Sequence, residues 1–213
     1  MIKNLIFDLD GTLYPESSGL EDECQQRVYD FFVAKLNISM DKAQQISENL
    51  LSKYHYEAQG VESELGLSQA EFLEYCCAVS TDNLAVNTEL QELLVSLPQK
   101  KFIFTDSTTS HVNDVLTKLK VDRTLFDDIY DAEKGKFAYK LNPAAFNAFC
   151  DYYQIDPKEG MLFEDKEKNI VLAKSVGFKT VLINEQADKN TSADYYFSNI
   201  NQALEFLKKE KLI

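Results

Sequence analysis

Asp8 and Asp10 stand one residue apart at the end of the apolar run Leu5-Ile6-Phe7, and Gly11 follows them. Neither alternation nor helical spacing describes that run, so the sequence predicts a short strand buried on both faces. Its carboxyl end would deliver both carboxylates into a crevice, where open α/β sheets bind ligands. Period-two geometry sends Asp8 and Asp10 to the same side of an extended backbone, and Gly11 lets the chain turn sharply after them. Charges about 4 Å apart repel by about 4 kcal/mol at an effective dielectric near 20, so a cation is expected between them. Mg²⁺ suits the pair, because it prefers oxygen ligands and takes one or two carboxylates together with phosphate oxygens. A calcium loop of the EF-hand kind starting at Asp8 is excluded, since Gly19 stands where its twelfth-position glutamate belongs.

Other chemistry-bearing residues lie far away in sequence, so the elements between them matter. From Lys101 onward short apolar strands alternate with amphipathic helices. Strands are predicted over 102–105, 161–164, 179–183 and 195–197. Val112, Val115, Leu116 and Leu119 form one helical face, and Phe146, Phe149, Cys150 and Tyr153 another. This alternation implies an α/β fold with a mostly parallel sheet flanked by helices and right-handed crossovers. Between Pro15 and about residue 97 the pattern is helical instead. Val28, Phe31, Phe32 and Leu36 share a face, and Ser68 with Glu71 makes a cap-like helix start. The expected organisation is a Rossmann-like core of residues 1–14 and 98–213, with an inserted all-helical cap over 15–97.

In such a sheet the loops after successive strands share one edge. Asp8 and Asp10 follow the first strand, and Thr105-Asp106-Ser107 follows the second with a hydroxyl and backbone amides suited to phosphate oxygens. Lys140 precedes Pro143 and the Phe146 helix, and Glu164-Asp165 ends a later strand.

Composition narrows the function classes. The 213 residues carry 22 basic and 35 acidic side chains, a net charge of −13 that disfavours nucleic-acid polymers and anionic membrane surfaces. A small phosphorylated metabolite remains compatible where a metal and a lysine reverse the sign locally. Four cysteines show no metal-like spacing and are expected to be reduced. With only His55 and His111, histidine-rich metal chemistry is excluded and a Ser-His-Asp hydrolase disfavoured. The N-terminus lacks a secretory pattern and no segment reads as membrane-spanning, so a cytoplasmic protein is expected, either a monomer or a homodimer.

Taken together, these segments resemble the haloacid dehalogenase-like superfamily of phosphohydrolases over nearly the whole chain. Asp8-Leu9-Asp10-Gly11-Thr12-Leu13 matches its first motif, Thr105 its second, and Lys140 with Pro143 and Phe146 its K-x-x-P-x-x-F segment. Glu164-Asp165, Asn169 and the Ala173-Lys174-Ser175-Val176-Gly177 helix resemble the last. The resemblance implies that Asp8 is the nucleophile forming an aspartyl-phosphate and Asp10 the general acid and then base. It implies Mg²⁺ held by the Asp8 carboxylate, the Asp10 main-chain carbonyl and Asp165, with Glu164 directly or through water. Thr105 and Lys140 would hold the phosphoryl oxygens. One departure stands out: the family usually has asparagine where this chain has Asp106, which is benign if only its backbone amide faces phosphate.

Tyr14-Pro15, Gly19-Leu20, Lys53-Tyr54 and Gly60 look like the pyrimidine 5′-nucleotidase branch, although His55-Tyr56-Glu57-Ala58 replaces the run usual after that second tyrosine. The implied substrate is a nucleoside 5′-monophosphate, with Asp106, Tyr14, Tyr54 and His55 as candidate contacts beside Thr105 and Lys140. Two alternatives stand beside it: a sugar phosphomutase or related phosphotransfer enzyme, and a non-catalytic phosphate- or protein-binding module. Dehalogenation is disfavoured because it needs no second acid such as Asp10.

Overall fold

A computed structural model describes residues 1–186 and 191–213 of the chain. Its centre is a six-stranded, all-parallel sheet in the order β3-β2-β1-β4-β5-β6. The strands are β1 (Asn4–Phe7), β2 (Lys100–Phe104), β3 (Asp128–Tyr130), β4 (Gly160–Glu164), β5 (Lys179–Ile183) and β6 (Tyr195–Phe197). All four residues of β1 are buried, as the continuous apolar run predicts for a strand covered on both faces. β1 pairs with β2 on one side, Phe7 against Ile103, and with β4 on the other, Phe7 against Phe163. The chain leaves β1 toward one half of the sheet and later returns to build the other, which makes the carboxyl end of β1 a topological switch point. β3, only three residues long, was not among the predicted strands: it has no apolar run of its own and is fixed by pairing with β2.

The chain divides into two compact units, Gly19–Thr81 and the remainder, Met1–Ser18 with Asp82–Ile213. The smaller contains α1 (Leu20–Leu36), α2 (Met40–Tyr54), α3 (Glu57–Leu65) and α4 (Gln69–Cys77). Ser39 and Ser68 cap α2 and α4 by accepting the Lys42 and Glu71 amides, so the cap-like start at Ser68 is a real helix N-terminus. Phe31 and Phe32 of α1 pack against Phe72 of α4, edge-on at 5.2 Å and stacked at 5.6 Å between ring centroids. Inside this unit Glu57 is buried, and it accepts hydrogen bonds from Ser47 at 2.7 Å and Gln25 at 3.2 Å.

The larger unit adds α5 (Thr88–Ser96), α6 (Thr109–Leu119), α7 (Pro143–Tyr153), α8 (Glu167–Val176) and α9 (Ile200–Lys209). Its aromatic core includes Phe104 stacked on Phe149 at 4.9 Å and Phe7 stacked on Phe163 at 4.7 Å. Residues 15–18 and 82–97, expected in the insertion, group with the larger unit instead. Two hydrogen bonds join the Asn87 and Asn201 carboxamides, at 2.9 and 3.2 Å, and tie the start of α5 to α9. Helical periodicity alone cannot say which neighbour a helix packs on. No disulfide joins the cysteines, and among the described residues no helix is long and apolar enough to cross a membrane.

Candidate active site

The parallel register places four loops on one edge of the sheet. The Asp8 amide donates to the Phe163 carbonyl at 2.9 Å, extending the β1–β4 ladder by one residue. That register sets Asp8 beside Glu164 and Asp165 at the end of β4. One carboxylate oxygen from each of the three lies within 4.8 Å of the others, and all three residues are buried. The Lys140 ammonium donates to Asp8 Oδ1 and, at 2.9 Å, to Glu164 Oε2. Glu164 Oε1 accepts the amides of Asp165 and Lys166, each at 3.2 Å, so both oxygens of Glu164 are engaged.

Three buried carboxylates face one buried ammonium, and the protonation equilibria record the imbalance. Burial pushes the Asp8 carboxyl well above its usual range, Glu164 adds to this, and Lys140 only partly opposes it. Burial followed by the Glu164 charge raises Asp165 to about 8. Burial disfavours the Lys140 ammonium, but the Asp8 and Glu164 carboxylates outweigh it and hold Lys140 well above its ordinary value. Asp165 Oδ2 is buried, and the half-exposed Lys166 ammonium lies 2.9 Å from it. This donor set fits a hard divalent cation: oxygen atoms only, one from each of three buried carboxylates within 4.8 Å of one another, with excess negative charge. Gly11 makes the packing possible. Its φ is +76°, and a Cβ there would sit 2.5 Å from Asp165 Oδ2.

Asp10 is treated differently. Its carboxylate stands outside the three-carboxylate cluster and is met by three hydrogen-bonding side chains. The Tyr14 hydroxyl donates to Oδ1, His111 Nε2 lies 2.7 Å from the same oxygen, and the Ser107 hydroxyl donates to Oδ2 at 2.7 Å. Burial raises the Asp10 carboxyl, but these contacts, led by His111, overcome it and hold the group at about 2. The two side chains, expected to face one cation, meet different partners. Period two sets both residues on one side of the backbone but does not fix which partners their side chains find.

Thr105 directly follows β2, is buried, and accepts the Ser107 amide on Oγ1 at 3.0 Å. Asp106 turns its carboxylate to the Lys140 main chain, whose amide donates to Oδ1 at 3.0 Å and Oδ2 at 3.2 Å. The segment it holds is strained: Lys136, Phe137 and Tyr139 have φ of 51°, 57° and 34°. Tyr14, named as a substrate contact, is buried with its hydroxyl committed to Asp10. Tyr54 belongs to the helical unit, where its hydroxyl donates to Glu64 at 2.5 Å. His55 ends α2 there with φ of 63°. His111 and the side chain of Ser107 were not singled out from the sequence. A signal existed: His111 precedes Val115 and Leu119 by four and eight residues, so it is the polar member of an apolar face.

The sequence pattern described as haloacid dehalogenase-like hydrolase matches residues 5–183. A curated relative, phosphate metabolism protein 8 of Saccharomyces cerevisiae, is 26% identical over 206 residues, covering 84% of this chain and 61% of the relative. The chain therefore spans about three fifths of that protein's length. A haloacid dehalogenase-type (HAD) phosphatase from Thermococcus onnurineus superposes with a TM-score of 0.65 at 26% identity, over 99% of this chain and 98% of its own. Two further structures share the fold: a 2-haloacid dehalogenase from Pseudomonas syringae (TM-score 0.63, 19% identity, 99% and 100% coverage) and a β-phosphoglucomutase from Clostridium difficile (0.63, 20%, 99% and 97%). Motif order, sheet topology and the match across most of the chain converge: this protein belongs to the haloacid dehalogenase-like hydrolases.

Proposed function

We propose that this chain is a Mg²⁺-dependent phosphatase that hydrolyses a small phosphate monoester through an aspartyl-phosphate on Asp8, with a nucleoside 5′-monophosphate as the first candidate. The observation that carries this reading is the buried Lys140 ammonium shared between the nucleophile and Glu164, with the Asp165 carboxylate within the same cluster. An anionic nucleophile approaches an anionic phosphate only where positive charge neutralises both. Asp8 and Asp165, with the Asp10 carbonyl, are assigned to the cation, which would supply the missing charge when bound. Glu164 is engaged mainly with Lys140 and acts chiefly by holding that ammonium in place.

An Asp8 carboxylate oxygen forms a bond to phosphorus as the bond to the leaving oxygen breaks. The leaving oxygen keeps the electron pair and takes a proton from Asp10, which its contacts hold ionised in the free chain and which takes that proton up from solvent as substrate binds. The Asp10 carboxylate then accepts a proton from water as that water's oxygen bonds to phosphorus. The phosphorus–Asp8 bond breaks, and inorganic phosphate departs. Thr105 donates its hydroxyl hydrogen, and Lys140 its ammonium, to the phosphoryl oxygens.

A cavity of about 390 Å³ in the same unit reaches Asp165 and is lined by Tyr14, Asn87, Asn184, Asn201 and Gln202 among others. No described lysine or arginine lines it, which favours an uncharged polar leaving group over one bearing a second phosphate. The helical unit Gly19–Thr81 is assigned the part of a cap that selects substrate.

Phosphate release from a panel of monoesters, with and without Mg²⁺, tests the reading, with Asp8→Asn as control. Release led by UMP and CMP that needs Mg²⁺ and vanishes in the variant is the expected result. Preference for sugar phosphates moves the substrate elsewhere, and no release from any ester defeats the enzyme reading.

A further inference from the structure

Asp10 has a more elaborate setting than proton transfer alone requires. Both of its oxygens are occupied, Oδ1 by Tyr14 and His111 and Oδ2 by Ser107. Tyr14 and Ser107 lie in turns outside the helices and strands, whereas His111 sits in the first turn of α6. Its backbone amide is capped by the Thr108 hydroxyl at 3.3 Å, and Val112 and Val115 of the same helix are fully buried. His111 itself is 2% exposed, so its ring has little room to swing away. Oδ1, which both the Tyr14 hydroxyl and His111 Nε2 face, is the accepting oxygen of the carboxyl group whether or not Oδ2 carries a proton, so Nε2, 2.7 Å away, is assigned the hydrogen. A rigid helix thereby supplies the anchor that flexible turns cannot.

We propose that His111 is the positioning residue for Asp10: its Nε2–H holds the Asp10 carboxyl group where it hands a proton to the leaving oxygen. This rests on the phosphatase reading above and deepens it. The step concerned is the first one, in which the Asp8–phosphorus bond forms, the ester bond breaks, and the Asp10 proton passes to the departing oxygen. An alkoxide cannot leave readily without that proton, whereas p-nitrophenolate can.

The experiment compares kcat/KM for a nucleoside 5′-monophosphate and for p-nitrophenyl phosphate in wild type, His111→Met and His111→Gln. kcat/KM reports the first step only, so the later hydrolysis common to both esters drops out. Methionine fills the space without a donor, and the glutamine amide nitrogen restores an N–H near the position of Nε2. His111→Met should lose about 30-fold on the alkyl ester, within the range of general acid catalysis, and less than about 3-fold on the aryl ester. His111→Gln should recover most of the loss. Ser107→Ala, which removes a donor from a half-exposed turn, should show the same leaving-group pattern at about 5-fold and keeps the test open if the methionine variant misfolds. Equal losses on both esters, no loss on either, or no recovery with glutamine would overturn the role. A wild-type chain that cleaves neither ester would defeat the phosphatase reading itself, a result distinguishable from an active enzyme indifferent to residue 111.

Discussion

Asp8 and Asp10 are separated by one residue, yet the fold surrounds them in opposite ways. Around Asp8 it gathers two more buried carboxylates and a single buried ammonium, leaving negative charge in excess even with Lys166 at the rim. Around Asp10 it gathers three hydrogen-bonding side chains and satisfies the group within the protein. The lesson is that proximity in sequence says little about electrostatic role. A site short of positive charge is built to receive a cation, and a carboxylate with its donors already in place is built to be held still.

The contrast is tested most severely at Lys140. Lys140→Met removes the only buried ammonium of the cluster, so phosphate release should fall by at least about 10³-fold. The loss of one partner from a buried ion network should also cost about 3–5 kcal/mol of stability in EDTA, read from urea unfolding. A variant as stable as wild type would show that the three carboxylates are not under mutual strain.

Next comes Gly11→Ala. Its Cβ would press on Asp165 Oδ2 at a backbone angle that alanine adopts poorly. The Mg²⁺ concentration for half-maximal activity should rise by about 10-fold, corresponding to about 1.4 kcal/mol of lost binding. An unchanged requirement would remove Asp165 from the cation site.

Acidity separates the two carboxylates further. Asp165 sits at about 8, raised by burial and then by Glu164. Between its ordinary value near 4 and that pH, the folded, cation-free chain holds a proton that the unfolded chain has released. This contribution to stability is complete at low pH and is lost as pH rises through about 8. A cation must displace the same proton, so the gain in Tm on adding Mg²⁺ should grow from pH 6 to pH 8. For Asp10, held at about 2, the sign reverses: its contribution is complete above the ordinary aspartate value and is lost only as pH falls toward 2. A Mg²⁺ effect on Tm that shrinks as pH rises would contradict the assignment of Asp165.

The smallest effect is expected at Asp106. An asparagine oxygen accepts the Lys140 amide as the carboxylate does, so Asp106→Asn should change kcat/KM by less than about 3-fold. Asp106→Ala leaves the strained Lys140 segment without that tether and should cost about 10-fold. A clear rise in the asparagine variant would show that the extra charge opposes the reaction.

Much of this could be read along the chain, because some patterns are local. The buried run of β1, the later strands near residues 102, 161, 179 and 195, and the spacing from Lys140 to Phe146 each lie within a few residues, where sterics and hydrophobic periodicity act directly. The parallel sense of the strands followed from their alternation with helices, so the acids at the ends of β1 and β4 pointed to one edge of the sheet; the strand order itself came only with the structure. Other features were decided only when distant segments met. β3 exists because β2 offers it a partner, and residues 82–97 group with the larger unit, where Asn87 bonds Asn201 more than a hundred positions away. The cradle of Asp10 draws on positions 14, 107 and 111, and nothing near residue 10 announces the last two. Residue types and short spacings record which groups do chemistry. The partners that orient those groups belong to long-range packing, which no local pattern encodes.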